Sequence, residues 1–178
     1  MINCRGQTEQ AAIDVCRNYI SQGLLEAAWI LRYQKLLRYR GKWHVEERNL
    51  FPGHVLVSLS DDQKEKHSLD TVLADLFPQE SKEERQRSLC AMGKGSEERL
   101  KAFCGGDTLI GLSKGCIRGG RIQVTQGPLA GYERNIQKID RHKRTAWLEM
   151  PGDGQEEAFD GTMPDRICLG LEIYEKKP

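Results

Sequence analysis

The spacing of apolar positions shifts along this chain from three or four residues to two, which divides it into a mixed part and a strand-rich part. Met1–Cys4 is a short apolar strand. Gly6 ends it, and Thr8 is placed to N-cap a helix whose apolar side carries Ala12, Val15, Cys16 and Tyr19. The run AAWILRYQKLLRYRGKWHVEERNLFPGHVLVSL, residues 27–59, is rich in aromatic and β-branched residues and is interrupted by Gly41 and by Pro52-Gly53. It predicts a long basic hairpin returning to a buried strand, His54–Leu59. Leu69, Val72, Leu73, Leu76 and Phe77 follow the i, i+3, i+4, i+7, i+8 rule of a one-faced helix, and Pro78 stops it. Ser81 and Glu84 fit a capping box for a second helix: the hydroxyl accepts from an orphan N–H and the carboxylate reaches back. GKGS at 93–96 punctuates the chain before a short helix, Glu97–Phe103, that ends at Gly105-Gly106.

The glycine-dotted stretch CGGDTLIGLSKGCIRGG reads as a connection. Beyond it Ile122 and Val124 alternate with Arg121, Gln123 and Thr125, and Ala146, Leu148 and Met150 alternate with Thr145, Trp147 and Glu149. The expected class is α+β: an α/β domain over residues 1–104, a linker over 105–117, and an all-β domain over 118–178. Closure into a small barrel is the economical way for so short a β domain to remove its sheet edges.

With 178 residues and 38% hydrophobic content, the chain can bury one medium core or two small ones. A net charge of +1 argues against a wholly basic coat protein and against an acidic tail, but the charge is unevenly spread. Residues 118–150 hold seven Lys or Arg against three acids, and 151–178 reverse this with seven acids against three bases. In the hairpin Arg32, Lys35, Arg38, Arg40, Lys42 and Arg48 face only Glu46 and Glu47. The six cysteines form no C-x-x-C pair and no spacing with His that suits zinc, so they read as reduced thiols and no metal or other cofactor is expected. No apolar run approaches a membrane span and no signal segment opens the chain, which places it in the cytoplasm. Nucleotide-binding glycine motifs and H-E-x-x-H are absent, and the four histidines have no partner arrangement, so the expectation is a protein without catalysis.

Arg141, His142, Lys143 and Arg144 stand together between two apolar segments. With Arg121, Lys138 and an outward Trp147 they offer cations beside an aromatic ring, a combination suited to RNA; a solvated charged turn is equally compatible with the residues alone. Upstream of them Gly127, Pro128, Leu129, Gly131 and Tyr132 form a Gly-Pro turn between strands.

The order strand, GPLAG-aromatic, apolar strand ending Ile-Asp, basic turn, strand resembles a KOW module of the NusG family of transcription elongation factors. Arg48–Val57, RNLFPGHVLV, is similar to the FFPGYVLV segment of that family's N-terminal (NGN) domain. GLSKGCIRGGRIQVTQGPLAG, KIDRHKRTAWLEM and the late GLEI resemble the specialised LoaP subgroup of antiterminators. The likeness covers most of the chain and is weakest over 60–104. His54 stands where the family has Tyr, Arg134 where Gly is common, and the first strand is very short.

The resemblance implies an NGN domain that grips the clamp helices of RNA polymerase, with Leu50, Phe51, Pro52 and His54 at the contact, although a buried Phe51 in an ordinary core fits the residues too. It implies a five-stranded SH3-like KOW barrel that binds a nascent RNA hairpin through Arg121, Lys138, Arg141, His142, Lys143, Arg144 and Trp147, giving processive antitermination by a monomer. The basic hairpin would lie near upstream DNA, drawn to phosphate without reading bases. Two alternatives stand beside this reading. One is a general elongation or termination factor whose barrel binds a termination helicase or ribosomal protein, with Tyr132 in that contact; the other is an RNA-packing protein like the KOW-bearing ribosomal proteins.

Overall fold

The structure, a computed structural model, describes residues 1–59, 63–150 and 166–177. In chain order its elements are β1 (Ile2–Asn3), α1 (Glu9–Ser21), β2 (Ala27–Trp29), β3 (Arg32–Tyr39), β4 (Lys42–Asn49), β5 (His54–Ser58), α2 (Gln63–Leu76), α3 (Lys82–Gln86) and α4 (Lys94–Cys104). There follow β6 (Leu109–Ile110), β7 (Ser113–Arg118), β8 (Arg121–Gln126), β9 (Ile136–Asp140), β10 (Thr145–Glu149) and β11 (Arg166–Lys177). The class is α+β. No described helix is long and apolar enough to cross a membrane. By contacts the described chain divides into two units, Met1–Leu31 with Phe51–Met92, and Arg32–Leu50 with the residues from Gly93 onward. The hairpin β3–β4 and helix α4 thus belong with the C-terminal strands.

In the first unit β5 is the central strand of an antiparallel sheet, β1-β5-β2, with Ile2 opposite Val55 and Ala28 opposite Val57. Thr8 accepts from the Ala11 N–H as the expected N-cap, and Ala12, Ile13, Cys16 and Tyr19 turn inward from α1. They meet Val72, Leu73, Leu76 and Phe77 of the α2 end and Val55 of the sheet in one apolar cluster. Each of the larger aliphatic side chains contributes about 1.5–3 kcal/mol by leaving water. The capping box forms as expected, with Glu84 N–H donating to Ser81 Oγ and Ser81 N–H to Glu84 Oε2. Tyr19 Oη donates to Asp75 at 2.5 Å, and that bond pushes the phenol up to about 12.

The second unit holds two sheets, β4-β3-β6 and β8-β7-β11-β10-β9. The five-stranded sheet is open, which corrects the expected closed barrel: β8 and β9 lie at its two edges. Two further features mark the sheet. β11, the twelve-residue strand absent from the sequence expectation, takes the central place, parallel to β7 and antiparallel to β10. The chain between β8 and β9 is spent on local turns, with Ala130 N–H bonding Gly127 O and Tyr132 N–H bonding Leu129 O. Part of the stretch read as linker is strand, since β6 pairs with β3 and β7 with β8. Helix α4 starts at Lys94, ahead of the expected Glu97, because Gly93 serves as its N-cap. Gly95 costs little there, since first-turn N–H groups have no intrahelical partner to lose. Gly105, at φ 60°, closes the helix in the left-handed conformation.

Candidate nucleic-acid interface

The basic turn is a four-residue connection closed by the Asp140–Thr145 pair of β9 and β10. Asp140 Oδ1 accepts from the Lys143 N–H at 2.9 Å, and this bond holds its carboxyl below the usual carboxylate range. Arg144 then takes φ 50°, a conformation uncommon for a residue with a Cβ. Arg141, His142 and Lys143 are exposed, and none of the three side chains has an ion-pair partner among the described residues. Arg144 differs from them. Its guanidinium lies 3.7 Å from the centre of the Trp43 ring and pairs with Glu172, while its carbonyl accepts from the Leu171 N–H. It is therefore a structural clasp and not a free cation.

Trp43 belongs to β4 and faces Arg38 across the hairpin. The hairpin closes through Arg40-Gly41, both at positive φ (50° and 76°), the type I′ geometry that matches strand twist. Beside this tip Tyr39 and His44 stack with ring centroids 3.8 Å apart, leaving Tyr39 44% exposed. Arg38, Arg40 and Lys42 are exposed as well. Through Arg144 and Trp43 the hairpin is joined to the turn. Cys168 reports the same convergence: burial raises its thiol pKa, while Lys35 of the hairpin and Lys143 of the turn both lower it. Two basic stretches roughly a hundred residues apart in sequence thus adjoin.

On the sheet itself Lys138 stands opposite Trp147. Both are exposed, whereas Ala146 and Leu148 are fully buried on the other face, as the strand alternation predicts. Arg121 is not brought to this cluster. It sits on the edge strand β8 opposite Arg118, which pairs with Lys177 at the end of β11, and two strands, β7 and β11, lie between it and β10.

No family model matches the chain, and no curated protein does.

The remaining candidates are packed to different degrees. Leu129 is fully buried and its N–H donates to Ser113 Oγ at 3.1 Å; Gly127, at φ 93°, lies so close to Ser113 that a Cβ would stand 2.7 Å from its Cα. Gly131 is also at positive φ, 87°, and Pro128 is half-buried. Tyr132 packs edge-on against Phe103 of α4, at 4.8 Å between centroids, with Arg99 beside its ring. The Gly-Pro turn is thus a packing element. Phe51 is buried, at 6% exposure, Leu50 is half-buried and Pro52 is exposed. His54 is half-buried, with Nδ1 3.0 Å from the Pro52 carbonyl oxygen.

Among the described residues no group of three or more His, Cys, Asp or Glu is placed to hold a metal ion. The residues missed from sequence are Trp43, Gly170 and Glu172. For Trp43 and Glu172 no sequence signal existed, because their role is set by contact with Arg144. For Gly170 the signal was an isolated glycine within the alternating Ile167, Leu169, Leu171 pattern, the mark of a close backbone approach.

Proposed function

We propose that this chain is a transcription elongation factor of the NusG type, specialised for antitermination: an NGN-like part holds RNA polymerase and a KOW-like sheet holds nascent leader RNA. The observation that carries the RNA half is the exposed turn Arg141–Lys143 beside the exposed Lys138–Trp147 pair. Unpaired cations attract phosphate, and an exposed indole gives a splayed base a surface on which to stack. Arg121 contributes nothing to that cluster, and Arg144 acts by holding the turn. On the polymerase side Leu50, Phe51, Pro52 and His54 are the residues to probe: Pro52 is exposed, Leu50 and His54 are half-buried and Phe51 is buried. Two modest contacts, one on polymerase and one on its transcript, reinforce each other because the first raises the effective concentration for the second.

The test is a titration of a structured RNA over a range of salt concentrations. Arg141→Gln with Lys143→Gln should make the slope of log K against log salt shallower by about 1.5, as expected for two lost phosphate contacts. An unchanged affinity and slope would leave the turn as a solvated turn and favour a general factor whose sheet binds protein.

A further inference from the structure

The family resemblance implies different ligands for the two sets of cations, upstream DNA for the hairpin and RNA for the turn. In the structure they adjoin. We propose that the β3–β4 hairpin tip and the β9–β10 turn form one RNA-binding surface, held in register by the contact of Arg144 with Trp43. This rests on the RNA-binding reading given above and extends it to a second protein element.

Three observations support the assignment. The first is charge. Lys35, Arg38, Arg40 and Lys42 come from the hairpin and Arg141 and Lys143 from the turn, while among the described residues Glu46, Glu47, Glu172 and Asp140 beside them are committed elsewhere. Glu46 pairs with Arg48, Glu47 with Arg32 and Glu172 with Arg144; Asp140 accepts from the turn's own backbone. The surface is therefore cationic on balance, with the free charges at its rim. The second is backbone geometry. Among the described residues Arg40 and Arg144 are two of the three non-glycine residues at positive φ, and each stands where Asn or Gly would sit more easily. Unfavourable conformations kept at a cationic surface point to use of the side chains there.

The third is the pair of exposed rings. Tyr39, backed by His44, stands beside the hairpin cations, and Trp147 stands on the sheet that carries the turn. Paired duplex offers no base faces for such rings, whereas an RNA hairpin with a single-stranded loop or tail offers duplex phosphates and unstacked bases together. That combination favours RNA over double-stranded DNA as the occupant of the hairpin tip. Arg144 and Trp43 are positioning residues in this scheme: neither needs to touch RNA, and both set the spacing between the two cationic edges.

The experiment uses the full chain and a short RNA stem-loop with a single-stranded tail, compared with a DNA duplex of the same length. Replacing Arg38, Arg40 and Lys42 by Gln should weaken RNA binding roughly tenfold or more near physiological salt and make the salt slope shallower by about 2. Trp43→Leu keeps every cation and should still weaken RNA binding. In that background the tip substitutions should cost clearly less than in the wild type, because the tip has already lost its register. Trp43→Phe, which keeps an aromatic face under Arg144, should restore most of the affinity. Thermal melting of each variant separates loss of binding from loss of fold.

The proposal is overturned if the tip substitutions leave RNA affinity and slope unchanged while the Arg141 and Lys143 substitutions lower them, since the hairpin is then no part of the RNA site. It is equally overturned if the tip substitutions weaken the DNA duplex and not the RNA. Absence of any salt-dependent RNA binding by the wild-type chain would instead remove the RNA-binding reading on which the proposal stands.

Discussion

Arg40→Asn is expected to stabilise the second unit while weakening RNA binding. Arg40 occupies the first central position of a two-residue type I′ turn at φ 50°, followed by Gly41 at 76°. A side chain with an ordinary Cβ pays about 1–2 kcal/mol for this left-handed conformation, whereas Asn pays less and Asn-Gly is the preferred pair for such a hairpin. The gain should be about 1 kcal/mol. For a unit of roughly 100 residues that raises the melting temperature by about 4–8 °C, readable by calorimetry or circular dichroism. The same substitution removes one cation, so the RNA salt slope should become shallower by about 0.7–0.9. A melting temperature that falls or stays the same would refute the assignment of backbone strain to Arg40, and an unchanged slope would remove it from the RNA surface.

Three further outcomes follow from the packing. Gly170→Ala should lower the melting temperature substantially, by about 2 kcal/mol of overpacking, because its Cβ would stand 2.2 Å from the Gln34 carbonyl oxygen and 2.8 Å from Leu112 Cδ1; a neutral result would mean that β11 and β3 do not approach so closely. Glu133 is held below the usual carboxylate range chiefly by its own backbone N–H and also by that of Val124, so its contribution is present above the unfolded pKa and lost as the pH falls through the folded one. Glu133→Gln should therefore cost more stability at neutral pH than in acid, as measured by denaturant midpoints at both, and an equal cost at both would contradict the bond. Burial pushes the Cys4 and Cys16 thiols up to about 11, so in the native protein at mildly alkaline pH they should alkylate far more slowly than the half-exposed Cys104 and Cys168, with rapid labelling of Cys4 or Cys16 as the contrary result.

Local chemistry made much of the fold legible. Thr8 caps α1 and Ser81 with Glu84 builds its capping box because both depend on atoms within three residues of each other. Arg40-Gly41 turns the hairpin for the same reason, and the parity of Trp147 against Ala146 and Leu148 is fixed by the strand period. What depends on distant partners was not legible. β11 pairs in parallel with β7, whose partner residues lie nearly sixty positions earlier, and β8 and β9 do not pair with each other, so the sheet is open where a barrel was expected. Its alternating Ile167, Leu169 and Leu171 did carry a strand signal. In the candidate site the exposed members Arg141, His142, Lys143, Lys138 and Trp147 could be read from turn and strand patterns. The separation of Arg121, the clasp role of Arg144 and the union of the hairpin with the turn could not, because each is set by topology across many residues. Phe51 illustrates the same limit: an aromatic beside Pro-Gly reads alike whether it is exposed to a partner or, as found, buried.

Antitermination by coupled contacts on polymerase and transcript is tested most directly by transcription in vitro through a leader hairpin and a downstream terminator. The wild-type chain should raise read-through on the template with the leader hairpin, and little on one with a scrambled leader; Arg141→Gln with Lys143→Gln should abolish most of that difference. Equal read-through with and without the leader, or full activity in the double variant, would contradict RNA-directed antitermination by this surface.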